Sequence, residues 1–401
     1  MPRLYIFTAS FPFGNQETFL EEEIDYLAHQ FECIRIIPLG GYRMEMRQYP
    51  NNCIIDNSLH CSRHKKVLLG LLFSYKVLPA FLGDFYEHKV YLSINKLKRW
   101  VSTFILCSFY LQSPALRYVR KNLQKEDVVY SYWGSDYNIV FPWLKGCAKL
   151  VSRFHGNWDL WTSNKEEGYI PLRDKVLDSL TLAVTISKKG ELFLSRRHPN
   201  TKCITSRLGT RDCGTGIKSQ DGIIRIVSCS TVYPIKRVSL IYDSVKELSH
   251  SRKVHWTHIG GSIQSSIDYF NELQERVKRN DGDKNLEVSL LGNMSLNDVF
   301  AFYESHPVDV FINLSTNEGV PVSIMEAISF NIPIVATDVG ATSEIVNDLT
   351  GRLVSANPST TDVAKAIIKV ISGGLTPRKY WEQNYCASKN YKDFSILIKH
   401  L

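Results

Sequence analysis

The sequence predicts an α/β protein of two domains, each a parallel sheet covered by helices, and three observations predict it. At 401 residues the chain is long enough for two separate cores. In the C-terminal half, apolar runs of strand length recur with helix-forming stretches between them, at 223–228, 254–259, 286–291, 308–314 and 333–337. Between Thr210 and Asp221 the apolar period lapses in a stretch holding Gly214 and Gly216, with Gly222 just beyond, which marks a linker.

Taken in order, Leu4–Thr8 reads as a first strand, followed by a loop with Pro12 and Gly14. A helix begins at Thr18, with Phe19, Leu20, Ile24, Leu27 and Ala28 spaced three to four apart. Ile34–Leu39 is a second strand, closed by Gly40-Gly41. A helical segment occupies roughly 60–125. Asp127–Trp133, ending at a Gly134 turn, Leu150–Phe154 and Leu182–Ser187 are further strands. A helix runs through Leu192-Phe193-Leu194, and Ile204–Leu208 leads to Gly209. The tail from Tyr380 through Phe394 to Ile398 reads as helical. The expected domains are 1–213 and 214–379, with a terminal helical segment at 380–401.

Composition narrows the class. Apolar content of 44% and charged content of 22% are those of an ordinary globular protein. The nine cysteines form no C-x-x-C pair, so neither a zinc site nor a disulfide framework is indicated, and buried thiols in a reducing, cytoplasmic setting are expected. No charged leader with a long apolar stretch opens the chain, so no signal peptide is expected. The net charge of +8 is concentrated: residues 60–125 hold twelve Lys/Arg against Asp84 and Glu87 alone. Their apolar runs, 68–73 and 101–106, are too short to span a bilayer, which takes roughly 20 residues. Two readings of this basic, aromatic segment stand: helices lying on an anionic membrane, which is preferred, or helices packed on the first domain with solvated basic faces. Nucleic acid is not expected, because no recognition fold or stacking motif accompanies the charge.

The chemistry is carried by Asn317-Glu318-Gly319-Val320-Pro321-Val322-Ser323-Ile324-Met325-Glu326-Ala327. A buried strand precedes it and another, Ile332–Thr337, follows. Strand, acidic turn, helix and strand form a parallel-sheet unit whose ligand site lies where strand ends meet helix starts. Two carboxylates there, with helix N-terminal amides, suit a ligand that is both polyhydroxylated and anionic, such as a sugar nucleotide. Read without that context, Glu318 is a helix-start charge and Glu326 a solvated helix residue.

This motif resembles the E-x7-E signature of the family 4 glycosyltransferases, retaining enzymes of GT-B fold. Other segments resemble the family in the right order: Phe11-Pro12-Phe13-Gly14-Asn15-Gln16-Glu17-Thr18-Phe19 the first loop of members that build bacterial surface polysaccharides, Arg153-Phe154-His155-Gly156-Asn157-Trp158-Asp159 the sugar-site histidine turn, 227–237 the phosphate-binding segment, and 339–346 the Gly-rich turn after the signature. The resemblance implies two Rossmann-like domains facing across a cleft, with the terminal helix crossing back to the first. It implies His155, Lys236 and Glu318 as catalytic residues. Glu318 would hold the donor sugar's hydroxyls, Glu326 the ribose, Lys236 and Arg237 the diphosphate. The backbone of Gly319, Val320, Pro321 and Val322 would face the phosphates, Gly292 and Asn293 the base, and Gly14 the donor phosphate or acceptor. Members usually carry an arginine where Thr231 stands, so either Arg237 supplies the second positive charge or Lys236 acts alone. Glu17 is read equally as an acceptor contact or a helix-start carboxylate, Asp159 as a capping residue, and Glu344 as a cap or ligand.

The expected activity is retaining transfer from a UDP- or GDP-sugar to a glycan or lipid-linked oligosaccharide, in building surface polysaccharide at the inner face of a membrane. The co-substrate is the sugar nucleotide. No further cofactor is expected, and no metal, since no D-x-D stands at a strand end. Two alternatives remain: a sugar-nucleotide epimerase on the same fold, and a silent sugar-nucleotide-binding scaffold, to which the substitution at Thr231 gives weight. A phosphorylase would need a pyridoxal lysine in a recognisable motif, and none is found.

Overall fold

The computed structural model describes residues 1–14, 16–156, 159–161, 168–279 and 282–401. Asn15, Asn157 and Trp158 of the segments above therefore lie outside the described residues. The chain divides into two compact units, Met1–Leu208 with Ser388–Leu401, and Gly209–Ala387.

The first unit holds a seven-stranded sheet of β1 (Leu4–Thr8), β2 (Ile34–Pro38), β3 (Cys53–Ile55), β4 (Val128–Ser131), β5 (Lys149–Phe154), β6 (Leu182–Thr185) and β7 (Cys203–Thr205). All neighbours are parallel, in the order β3-β2-β1-β4-β5-β6-β7. The central strands β1 and β4 are buried along their whole length, as expected of a sheet covered on both faces. On one face, Leu20, Ile24 and Leu27 of helix Thr18–Ala28 pack with Phe394 and Ile398 of the terminal helix Ala387–Lys399. On the other, helices Leu78–Glu87, Ile94–Gln112 and Pro114–Asn122 seat Phe81, Phe109, Leu111, Leu116 and Val119 against Tyr5, Phe7 and Val129. The basic segment is thus partly a layer of the first core. No helix among the described residues is long and apolar enough to cross a membrane.

The second unit is a six-stranded parallel sheet of β8 (Ile224–Cys229), β9 (Val254–Ile259), β10 (Leu286–Leu290), β11 (Val310–Asn313), β12 (Ile334–Thr337) and β13 (Gly351–Val354), in the order β10-β9-β8-β11-β12-β13. Chain order reverses between β8 and β11, which pair through Val310–Ile226 and Phe311–Val227. Loops leaving the two strands there diverge and open a crevice at the strand ends.

The tail divides differently from the expectation of one segment at 380–401. Helix Pro377–Asn384 stays with the second unit, where Trp381 is fully buried and donates its indole N–H to Thr210 Oγ1 at 2.8 Å. Only the residues from Ser388 join the first unit. Thr210 exchanges main-chain hydrogen bonds with Tyr385 and Ala387, which ties this part of the linker to the second unit.

Candidate functional site

The second unit's site forms at the reversal point of its sheet. After β11, the Asn313 carboxamide oxygen accepts the Ser315 amide at 3.0 Å, and Thr337 Oγ1 donates to Ser315 O at 2.6 Å, which fixes the turn leading to Glu318. After β8, the chain reaches Lys236 through a short helical turn. The two loops are tied by Thr316 N donating to Ile235 O at 2.9 Å. Lys236 Nζ then meets Glu318 Oε1 at 2.6 Å, with the two side chains 28% and 12% exposed. Asn313 Nδ2 donates to the same oxygen at 3.4 Å.

The helix start expected after Glu318 is present as Val322–Ser329, entered through Pro321. No described residue accepts from the amides of Gly319, Val320 or Val322, so they leave a cluster of N–H groups at the positive end of the helix dipole. Pro321 has no N–H; its part is to set the turn, not to donate. Gly340 packs on this turn from β12. Its φ is +57°, a Cβ there would lie 1.7 Å from Glu318 O, and Ala341 N donates to Gly319 O at 3.0 Å. Glu326, one helical turn further in, is 8% exposed. It lies near Cys229 at the end of β8, whose thiol is pushed up to about 12, chiefly by burial and further by the Glu326 charge.

Arg237 departs from expectation. Its backbone is left-handed, φ 49°, and its guanidinium donates to main-chain carbonyls of Leu314, Ser315 and Ala356 and to Asn357 Oδ1. An arginine so engaged clamps the β11 loop; it is not poised for a diphosphate. Thr231 is exposed, and Lys236 is the cation brought to Glu318. Gly292 and Asn293 line a neighbouring wall: Gly260 N donates to Gly292 O at 2.7 Å, and Asn293 Oδ1 accepts Gly261 N at 2.8 Å. Glu344 lies in a turn whose main-chain carbonyl accepts the Tyr380 hydroxyl at 2.7 Å.

In the first unit, His155 follows β5. Its Nε2 lies 2.8 Å from Tyr132 O, so that nitrogen carries the proton and Nδ1 keeps its lone pair. The ring packs on Trp133 with centroids 4.3 Å apart and a tilt of 36°. Burial, then the Arg153 charge, push it down to about 3, which keeps the imidazole neutral. Asp159 holds this turn. Its carboxylate accepts the amides of His155 at 2.8 Å, Gly156 at 2.9 Å and Gly134 at 3.3 Å. Beneath lies a fully buried ion pair, Arg153 Nη1 to Glu23 Oε2 at 2.7 Å.

Glu17 does stand at a helix start, as the N-cap of Thr18–Ala28, but its side chain does not cap that helix. Its carboxylate accepts Ala9 N at 2.9 Å, Ser10 N at 2.8 Å, Phe11 N at 2.7 Å and Trp133 Nε1 at 2.7 Å. It folds the loop after β1 and fixes the indole on which His155 packs. The sequence reading missed Trp133 and underrated Asp159; an aromatic two residues past a buried strand and an acid four residues beyond the histidine were the available signals. Gly14 also has a local cause: its amide is spent on Glu45 O at 2.8 Å, and a Cβ would meet Met44 Sδ at 2.5 Å. That amide is therefore already taken and does not serve a phosphate. A cavity of about 420 Å³ opens at the ends of β1 and β4, lined by Ala9, Trp133, Tyr137, Tyr169 and Arg99 among others.

Residues 224–373 match the family model described as "Glycosyl transferases group 1". Among solved structures, HepE of Anabaena in complex with UDP aligns over all of both chains with a TM-score of 0.65 and 13% identity. The lipopolysaccharide outer core galactosyltransferase WaaB in its apo form also aligns over all of both chains, at 0.64 and 13%. Sucrose-phosphate synthase of Thermosynechococcus elongatus aligns over all of this chain and 99% of its own, at 0.66 and 11%. At such identities the likeness establishes the GT-B fold. No curated protein sequence matches the chain.

Proposed function

We propose, from the premise that the second unit is a glycosyl transferases group 1 domain, that the chain moves a sugar from a nucleoside-diphosphate sugar to an acceptor hydroxyl with retention at the anomeric carbon. The observation that carries this reading is the Lys236–Glu318 pair beside open helix amides, at the reversal point of the second sheet. With no ligand, each charge neutralises the other. A bound diphosphate would draw Lys236 and the amides of Gly319, Val320 and Val322, because its charge exceeds that of one carboxylate. Glu318 would then be freed to accept two sugar hydroxyls in charge-assisted bonds. As the glycosidic bond breaks, the same cation and amides meet the rising charge on the leaving group. Glu326 would take the ribose, as the family resemblance implies. In the first unit, His155 keeps Nδ1 as an acceptor that a sugar hydroxyl could use.

In this reading the leaving oxygen takes the acceptor proton on the same face. Lys236 and the amides supply the positive charge that a metal would otherwise bring. Among the described residues, the group with metal-ligating spacing, Glu87, His88 and Asp174, belongs to the helices of the first unit. A UDP-sugar is favoured over a GDP-sugar, because HepE is a UDP-bound neighbour in fold. The acceptor is a glycan or lipid-linked oligosaccharide of a surface polysaccharide such as a capsule, met in the cytoplasm with the basic segment touching an anionic membrane. The first-loop resemblance and the charge of residues 60–125 support this.

Release of UDP in the presence of acceptor tests the reading. Lys236→Ala is expected to lower kcat roughly 10²- to 10³-fold, the loss typical of a leaving-group or oxyanion contact. Glu318→Ala should lower kcat/KM about 10- to 100-fold through lost charged hydrogen bonds. An epimerase would turn over without acceptor, and a scaffold would be indifferent to both changes.

A further inference from the structure

Helix Arg63–Leu72 presents its apolar stripe outward. Leu68, Leu71 and Leu72 are 60%, 53% and 61% exposed, and Tyr75 beyond the helix end is 64% exposed. Their spacing of three, one and three puts them on one face. The helix's buried residue is Gly70, which seats directly on helix Ile94–Gln112: a Cβ there would lie 2.5 Å from Ile105 O. An ordinary surface helix buries its leucines and exposes its small and polar residues; this one turns three of its four leucines outward, only Leu69 packing against the core. Cations accompany the stripe. Arg63, Lys65, Lys66 and Lys98 have no carboxylate partner among the described residues. The acids that flank the helix in sequence, Asp56 and Asp84, are both engaged elsewhere: Asp56 pairs with Arg35 Nη1 at 3.1 Å, and Asp84 is turned inward onto Leu172 N and the Tyr169 hydroxyl. Between the two helices lies a groove of about 590 Å³, with Val67, Val101 and Ile105 in its lining and Arg63, Lys66 and Lys98 at its edges.

We propose that this face is a docking surface for an anionic lipid bilayer: Leu68, Leu71 and Leu72 enter the acyl region, the four cations meet lipid phosphates, and the groove takes one acyl chain. The proposal deepens the reading of membrane contact above and rests on it. Charge selects the occupant. A second copy of the chain would bring like charges together, whereas an anionic leaflet is complementary to both the stripe and its basic surround.

The test is sedimentation of the full chain with vesicles of phosphatidylcholine alone or with one third phosphatidylglycerol, alongside thermal stabilisation by UDP. Wild type is expected to pellet with the anionic vesicles at low salt and not with the neutral ones. The triple change Leu68→Ser, Leu71→Ser, Leu72→Ser should weaken binding at least tenfold. Lys66→Glu with Lys98→Glu should abolish the preference for anionic lipid, and Val101→Trp should weaken binding by filling the groove. None of these is expected to alter the UDP shift. Failure of wild type to pellet, or a triple variant that pellets as well as wild type, overturns the docking surface while the UDP shift stands. Unchanged binding by Val101→Trp overturns the acyl-chain groove. Vesicle binding without a UDP shift would instead sink the nucleotide reading.

Discussion

Asp159 shows how one side chain sets a turn that a neighbouring histidine depends on. Its carboxyl is pushed up from 3.8 to about 7 by burial, against the opposing pull of the three amides it accepts and of Arg173. Above that value it is an acceptor on both oxygens; below it, one oxygen becomes a donor facing an N–H, and the turn loosens. His155, pushed down to about 3, is neutral on both sides of the transition and adds no step of its own. The transfer rate is therefore expected to rise as pH passes through about 7, and Asp159→Asn should give a flat profile at a reduced rate. Stability runs the other way. Because the folded value lies above the unfolded one, this group's contribution is fully present below about 4 and is lost as pH rises through 7. A pH profile of kcat/KM for both proteins, with thermal unfolding to confirm folding, checks this; a variant that keeps the step would remove Asp159 as its source.

At the scale of elements, the acidic turn and the β12 turn are packed main chain to main chain, so a change in one moves the other. Gly340→Ala would place a Cβ 1.7 Å from Glu318 O at φ +57°. It should cost roughly 2–4 kcal/mol of second-unit stability and raise KM for the donor. Gly292 has a similar φ, +72°, and open space around a Cβ; Gly292→Ala should cost only about 1 kcal/mol. Calorimetry of the pair separates steric displacement from backbone strain, and equal losses would contradict the packing argument. The strand–turn–helix–strand unit around Glu318 was legible because its strands are continuous apolar runs and its helix follows at once. The edge strands β3 and β13 were not: β3 has only three residues, and β13, Gly-Arg-Leu-Val, lacks a continuous apolar run. Nor could adjacent Lys236 and Arg237 be told apart. The left-handed backbone at Arg237 sends its side chain to the β11 carbonyls, and nothing in a Pro-Ile-Lys-Arg run announces that. Glu17 was read only in part for a related reason: it does stand at a helix start, but the four donors to its carboxylate come from residues 9–11 and from Trp133, more than a hundred positions away.

Over the whole molecule, the division into units is not the division of the chain, and this gives the terminal residues a defined job. Ser388–Leu401 belong to the first unit although the second intervenes in sequence. Tyr391, Phe394 and Ile398 are buried there, and Phe394 lies 4.3 Å from the Arg153 guanidinium of the buried ion pair. Burial of each such side chain contributes about 1.5–3 kcal/mol, so losing all three approaches the 5–15 kcal/mol that usually holds a domain together. Uncovering Arg153 and Glu23 adds little to that loss, because water would rehydrate both charges. Ending the chain after Ala387 should therefore unfold the first unit selectively. The second unit keeps Trp381, its sheet and the Lys236–Glu318 pair, so it should still unfold cooperatively and still gain stability from UDP by mass action. Limited proteolysis followed by calorimetry distinguishes the outcomes. If the shortened chain keeps a protease-resistant first unit, the terminal helix is an accessory and the burial argument fails; if the UDP shift disappears as well, the two units do not fold independently.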